Sequence, residues 1–186
     1  MNTFEVSNAN GIARLTLNNP PINTITAQMI KELNEYLNEL RNDSATKMVI
    51  FQSDNPLFFS LHLDLNVING SESGIHACNE FAEMIANIKR LDQLTVALVD
   101  GVARGGACEL AMACDLVFAT ENAVLAQPEA SVNIPPGGQG SVQFARRMGK
   151  SKGLYWLLTG ADIDAKQAEA LNIITQYLYC VKLASV

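Results

Sequence analysis

Apolar and polar positions alternate from the start of the chain, in MNTFEVSNANGIARL. Phe4–Ser7 and Ile12–Leu17 read as two short strands, and the turn-like Asn8-Ala9-Asn10-Gly11 between them makes a hairpin. Asn18-Asn19-Pro20-Pro21 then breaks the chain. The pattern next changes period. Met29, Leu33, Tyr36, Leu37 and Leu40 fall at i, i+4, i+7, i+8 and i+11, with Lys31, Glu32, Glu35 and Glu39 on other faces. That spacing predicts an amphipathic helix, with Thr26 placed to cap it. Lys47–Gln52 (KMVIFQ) is a short buried strand. Strand, helix, strand implies parallel pairing through a right-handed crossover.

The alternation of elements continues. Ile75, Cys78, Phe81, Ala82, Ile85 and Ile88 mark a second amphipathic helix, and Thr95–Val99 a buried strand ended by Asp100-Gly101. Residues 105–115, GGACELAMACD, read as a helix that buries one face, with the acid Glu109 in its first turn. Leu116–Ala119 and Val124–Gln127 are short strands. Gly137–Met148, Ser151–Leu158 and Ala165–Leu171 are helices. Strands alternating with helices after a hairpin give an α/β fold. Nothing repeats at a fixed period, so residues 1–186 are expected to form a single domain. The apolar end, TQYLYCVKLASV, implies that something covers it or that the chain was cut.

Composition narrows the partners. Of 186 residues, 48% are hydrophobic and 17% charged, a globular balance. The formal net charge of −6 argues against nucleic acid or an anionic membrane surface as partner, since neither would be drawn to it. No apolar run is long enough to span a bilayer, and the first residues lack the basic and apolar regions of a signal peptide. A cytoplasmic protein is expected. Cys78, Cys108, Cys114 and Cys180 form no CxxC pair, so they are expected as reduced thiols.

Candidate chemistry lies in three loops that follow core strands: Asn55–Asp64, Asp100–Gly106 and Gln127–Gly140. In open α/β sheets ligands gather at the carboxyl ends of strands. Gly105 and Gly106 allow close backbone approach, and a helix starting there points unpaired N–H groups outward. Those donors suit an oxygen acquiring negative charge. Glu109 lies on that first turn, where an acid is either a stabilising partner of the helix dipole or a catalytic group. Glu129 is a second acid, a plain loop residue or its counterpart in acid–base work. His62-x-Asp64 has the spacing of a metal pair, but no third ligand is in view, so no metal is expected. His76 opens a helix and should be solvated. Nucleophile-elbow, nucleotide and dinucleotide motifs are missing from the sequence.

Taken together, GVARGGACELAMACDLVFATENAVLAQPE and NIPPGGQGSVQFARRMGK resemble the enoyl-CoA hydratase/isomerase, or crotonase, family. The resemblance runs from the hairpin to about Asn172. It implies a spiral of ββα units and an acyl-CoA substrate, with coenzyme A arriving as part of that substrate and no separate cofactor. By resemblance, the backbone N–H groups of Leu63 (in SLHLD) and Gly106 hold the thioester carbonyl, and Glu109 and Glu129 handle the water. Gly137 matches a glycine that helps hold that water, and Asp64 ends the first oxyanion loop. His62, Asp64, Gly105 and Gly137 are thus expected around the substrate. Hydration of an α,β-unsaturated thioester is the leading expectation. A family isomerase, decarboxylase or thioester hydrolase, or a non-catalytic acyl-CoA-binding protein, is the alternative.

The sequence departs from the family in specific places. His62 and Leu63 stand where small residues are usual, so His62 is expected either packed over the loop or offering its own donor or acid near the hole. Arg104 and Gln139 replace apolar or glycine residues and are expected either as plain surface or to meet a polar acyl group or a CoA phosphate. Family chains continue into helices that cover the pocket and build homotrimers, often paired into hexamers. Here that C-terminal helical region is expected to be absent or truncated.

Overall fold

In the computed structural model, which describes residues 3–67 and 71–179, the N-terminal hairpin forms as expected. β1 (Phe4–Ala9) pairs antiparallel with β2 (Ile12–Leu17), and Asn10 and Gly11 turn the chain at positive φ. Helix α1 (Ala27–Leu40) begins where Thr26 accepts the Met29 N–H, and it buries Met29, Ile30, Leu33, Leu37 and Leu40. Each such aliphatic side chain contributes about 1.5–3 kcal/mol when withdrawn from water.

From β3 (Met48–Ser53) onward the chain winds in a repeating order. β3 is followed by β4 (Phe58–Ser60), a one-turn 3-10 segment (Leu65–Val67) and α2 (Glu72–Ile88). β5 (Leu94–Val99) is followed by β6 (Val102–Arg104) and α3 (Gly106–Ala113). β7 (Leu116–Thr120) is followed by β8 (Val124–Ala126), a 3-10 turn (Glu129–Val132), α4 (Gly140–Met148) and α5 (Lys150–Thr159). The first strand of each turn joins one sheet and the second strand another. The larger sheet has the order β1-β2-β3-β5-β7-β10 and the smaller β4-β6-β8-β9. β9 (Ile163–Asp164), α6 (Ala165–Ala170) and β10 (Gln176–Leu178) complete the described chain. Among the described residues, only β1 and β9 are edge strands that run antiparallel to their neighbours. This is the ββα spiral the resemblance implied.

Several expectations change. β4 and β6 lie inside two of the segments read as loops, because three residues are too few to display a period. The helix expected from Gly137 starts at Gly140. Gln139 takes the left-handed conformation (φ 74°) before it, and the Gly140 N–H is spent on a carboxylate. Helix α3 does not bury just one face, since every residue from Gly106 to Ala113 is buried. It is a central helix, covered on all sides, with Glu109 as its one charged side chain. Its end is tied down by Asp115, whose carboxylate accepts the Thr95 N–H and hydroxyl. The Arg147 guanidinium donates to the Met112 and Ile173 carbonyls and so caps the same end. The apolar tail begins as β10, paired parallel with β7, while Cys180 and the residues after it lie outside the described residues. Cys78, Cys108 and Cys114 are free thiols. No helix among the described residues is long and apolar enough to cross a membrane.

Gly101 makes the corner from β5 into β6, at φ +72° with Leu57 O only 2.2 Å from where a side-chain carbon would sit. Gly101→Ala is expected to lower stability by about 3 kcal/mol, combining left-handed backbone strain with overpacking against main chain. Thermal unfolding should show a midpoint roughly 10 °C lower. An unchanged midpoint would show that the corner can relax.

Candidate active site

The three sequence-identified segments converge on one cavity of about 360 Å³, lined mainly by apolar groups. The first segment brings His62 and Leu63, the second Gly105 and Gly106, and the third Glu129 and Gly137; Leu65 of the 3-10 segment, Cys78 and Phe81 of α2, and Glu109 of α3 also line it.

Two backbone donors meet at one end of this cavity. A side-chain carbon built on Gly106 would lie 3.4 Å from Leu63 N. Among the described residues neither the Leu63 nor the Gly106 N–H meets a protein acceptor. Both are held from behind. A trans peptide points its C=O opposite to its N–H, so fixing one aims the other. The His62 carbonyl, which shares a peptide plane with the Leu63 N–H, accepts from Ile25 N at 3.0 Å. The Gly105 carbonyl, which shares a plane with the Gly106 N–H, accepts from Glu109 N at 3.0 Å and from Gln127 Nε2 at 3.0 Å. Gly105 itself has φ 54° and ψ −125°, a conformation open to glycine. The Gly106 N–H also stands at the start of α3, where the helix dipole favours negative charge.

Glu109 answers the oddity of an acid inside a buried helix. It is 2% exposed, and Oε1 accepts the Gly140 N–H at 2.6 Å. Burial pushes its pKa up to about 7, against the pull of the Gly140 and Gly138 N–H groups; the nearby Glu129 charge pushes the same way as burial. A side-chain carbon on Gly138 would sit 2.9 Å from Glu109 Oε2, and one on Gly140 2.9 Å from Oε1. Glycines are therefore needed for main chain to clasp this carboxyl. Glu129, on the 3-10 turn after β8, is also buried, and burial raises its pKa. Its Oε2 has no hydrogen-bond partner among the described residues. Two carboxyls, each harder to ionise than usual, thus line one apolar cavity beside two unpaired N–H donors. This set can stabilise an oxyanion and move protons at the same time.

The other expected residues take various places. His62 is half-buried, and its Nδ1 is 2.7 Å from Leu63 O. Gly137 lines the cavity with open space around it. Asp64 does not line it; its Oδ1 accepts from the Asn66 N–H and side-chain amide, securing the turn after the His62-Leu63 loop. Arg104 forms a two-pronged pair with Asp162, and Gln139 accepts from Lys89 Nζ, both outside the cavity wall. His76 is exposed and lies 3.5 Å from Glu80. Sequence reading missed Gln127, Gly138 and Gly140. Their signal was present, as QPE and PGGQG, but Gln127 and Gly140 meet targets 22 and 31 residues away along the chain, and Gly138 shares the Glu109 target of Gly140.

Known proteins share this arrangement of elements. The family model for enoyl-CoA hydratase/isomerase matches residues 7–184. The fatty acid oxidation complex subunit alpha of Idiomarina loihiensis is 33% identical over 94% of this chain, which spans 25% of that subunit. The short-chain-enoyl-CoA hydratase of Clostridium acetobutylicum is 29% identical over 89% of the chain, which spans 64% of that enzyme. A solved structure of Pseudomonas aeruginosa DspI superposes with a TM-score of 0.93 at 25% identity, over 98% of this chain and 75% of the other.

Proposed function

This chain belongs to the enoyl-CoA hydratase/isomerase family, and from that premise we propose that it adds water across the double bond of an α,β-unsaturated acyl-CoA. The observation that carries the proposal is the convergence of Glu109 and Glu129 with the free Leu63 and Gly106 N–H groups on one apolar cavity. The thioester carbonyl sits against the two N–H groups. As the water oxygen bonds to the β-carbon, negative charge moves onto the carbonyl oxygen, where each donor lowers the barrier by about 3–4 kcal/mol. One carboxylate takes a proton from the water and the other carboxyl gives one to the α-carbon. Burial raises the pKa of both carboxyls, and the Glu129 charge raises that of Glu109 further, which suits a pair that serves as acid and base in turn. Protein groups supply every one of these roles, and coenzyme A enters as part of the substrate.

The direct test is hydration of crotonyl-CoA and longer 2-enoyl-CoAs, followed by loss of the conjugated thioester absorbance. Turnover of at least one member of the panel is expected. If none is hydrated while a 3-enoyl-CoA is converted to its 2-enoyl isomer, the same site is an isomerase and the proposal falls.

A further inference from the structure

We infer that His62 is a positioning residue, which fixes the Leu63 oxyanion donor through Nδ1; the inference rests on the reading of Leu63 N–H as that donor. Leu63 lies between two peptide planes. The plane before it is held by Ile25 N–H on the His62 carbonyl, at 3.0 Å. The plane after it is held twice. Asp64 N–H donates to the Ile25 carbonyl at 2.9 Å, and the His62 ring folds forward so that Nδ1 meets the Leu63 carbonyl at 2.7 Å. A carbonyl oxygen only accepts, so Nδ1 carries the proton. Ile25 and Leu63 form a single isolated bridge and not a run of strand. The two segments are tied again two residues earlier, where Leu61 N–H donates to the Ile22 carbonyl at 3.0 Å, and the ring adds a side-chain restraint to those that fix the Leu63 backbone angles. Those angles set where its N–H points.

This role has a chemical signature. Imidazole with its hydrogen on Nδ1 and imidazolium both donate through that atom, so the restraint does not depend on the charge of the ring. A positioning His62 therefore adds no limb to the pH profile. A His62 that moved protons through Nε2 would add one. Asparagine can place an amide donor near the position of Nδ1 but nothing at Nε2, so it separates the two roles.

His62→Ala is expected to lower kcat about tenfold with KM changed less than about twofold, since the donor matters most when charge develops. His62→Asn should recover most of that loss, and the pH profiles of all three proteins should keep the same limbs. A readout independent of turnover is the infrared carbonyl band of bound hexanoyl-CoA labelled at the thioester carbon. The band should shift to lower frequency in the wild type, shift less in His62→Ala and return in His62→Asn. A full shift in His62→Ala, or a pH limb lost in His62→Asn, overturns the positioning role and leaves hydration standing. No shift in the wild type removes the oxyanion hole itself, and both readings with it.

Discussion

Glu109→Gln is expected to lower kcat for enoyl-CoA hydration by about 10³-fold, within the range for loss of a positioned acid–base group. The amide keeps the volume of the carboxyl and still offers an oxygen to the Gly140 N–H, so the loss reports chemistry and not collapse of the site. The same substitution carries an opposite signature in stability. The folded pKa of Glu109 is about 7 against an ordinary 4.5, so the folded state holds this proton more tightly than the unfolded chain. Its contribution to stability is fully present below the unfolded pKa and is lost as pH rises from about 4.5 through about 7. At 1.36 kcal/mol per pH unit, the loss is about 3 kcal/mol by pH 8. Glu109→Gln escapes this loss. Relative to the wild type, its unfolding midpoint should rise between pH 5 and pH 8 while its activity stays low. A midpoint difference that does not change with pH would mean that Glu109 is not the buried titrating acid described above.

Glu129→Gln should lower kcat by about 10²–10³-fold, and the double variant should lose much less than the product of the single losses. Groups that exchange protons through one water act as a unit, and removing either one removes most of the pathway. Glu129 Oε2 is buried without a hydrogen-bond partner among the described residues, so this carboxyl has an oxygen uncommitted to the protein. Measuring kcat for the four proteins of the cycle on one substrate checks this. Fully multiplicative losses would show that the carboxyls act in separate steps. Retention of near wild-type activity in Glu129→Gln would remove Glu129 from the chemistry, leaving its burial as a packing feature.

Much of this was readable along the chain because it depends on near neighbours. Thr26 capping the 3.6-residue stripe of α1 and the Asn10-Gly11 turn of the hairpin are decided within a few residues. The short strands β4 and β6 were not legible. Their stability comes from pairing with β6 and β8 across tens of residues, and not from any local alternation. The full burial of α3 was also hidden, since a helix rich in small and apolar residues has no polar face to reveal how many sides are covered. Glu109 stands out in its sequence, but spacing alone favours a helix-stabilising acid over a catalytic one.

The sequence by itself singled out the candidate residues: two glutamates, two glycines at a helix start, and a histidine in the loop before Asp64. Only the tertiary structure decided what those groups became. It brought the Gly138 and Gly140 main chain against Glu109, turned Gln127 onto the Gly105 carbonyl and folded His62 over Leu63. The physical reason is that pKa and donor direction belong to surroundings. Burial in a low-dielectric cavity raises a carboxyl, and a peptide N–H points where its own carbonyl, held from another part of the chain, forces it to point.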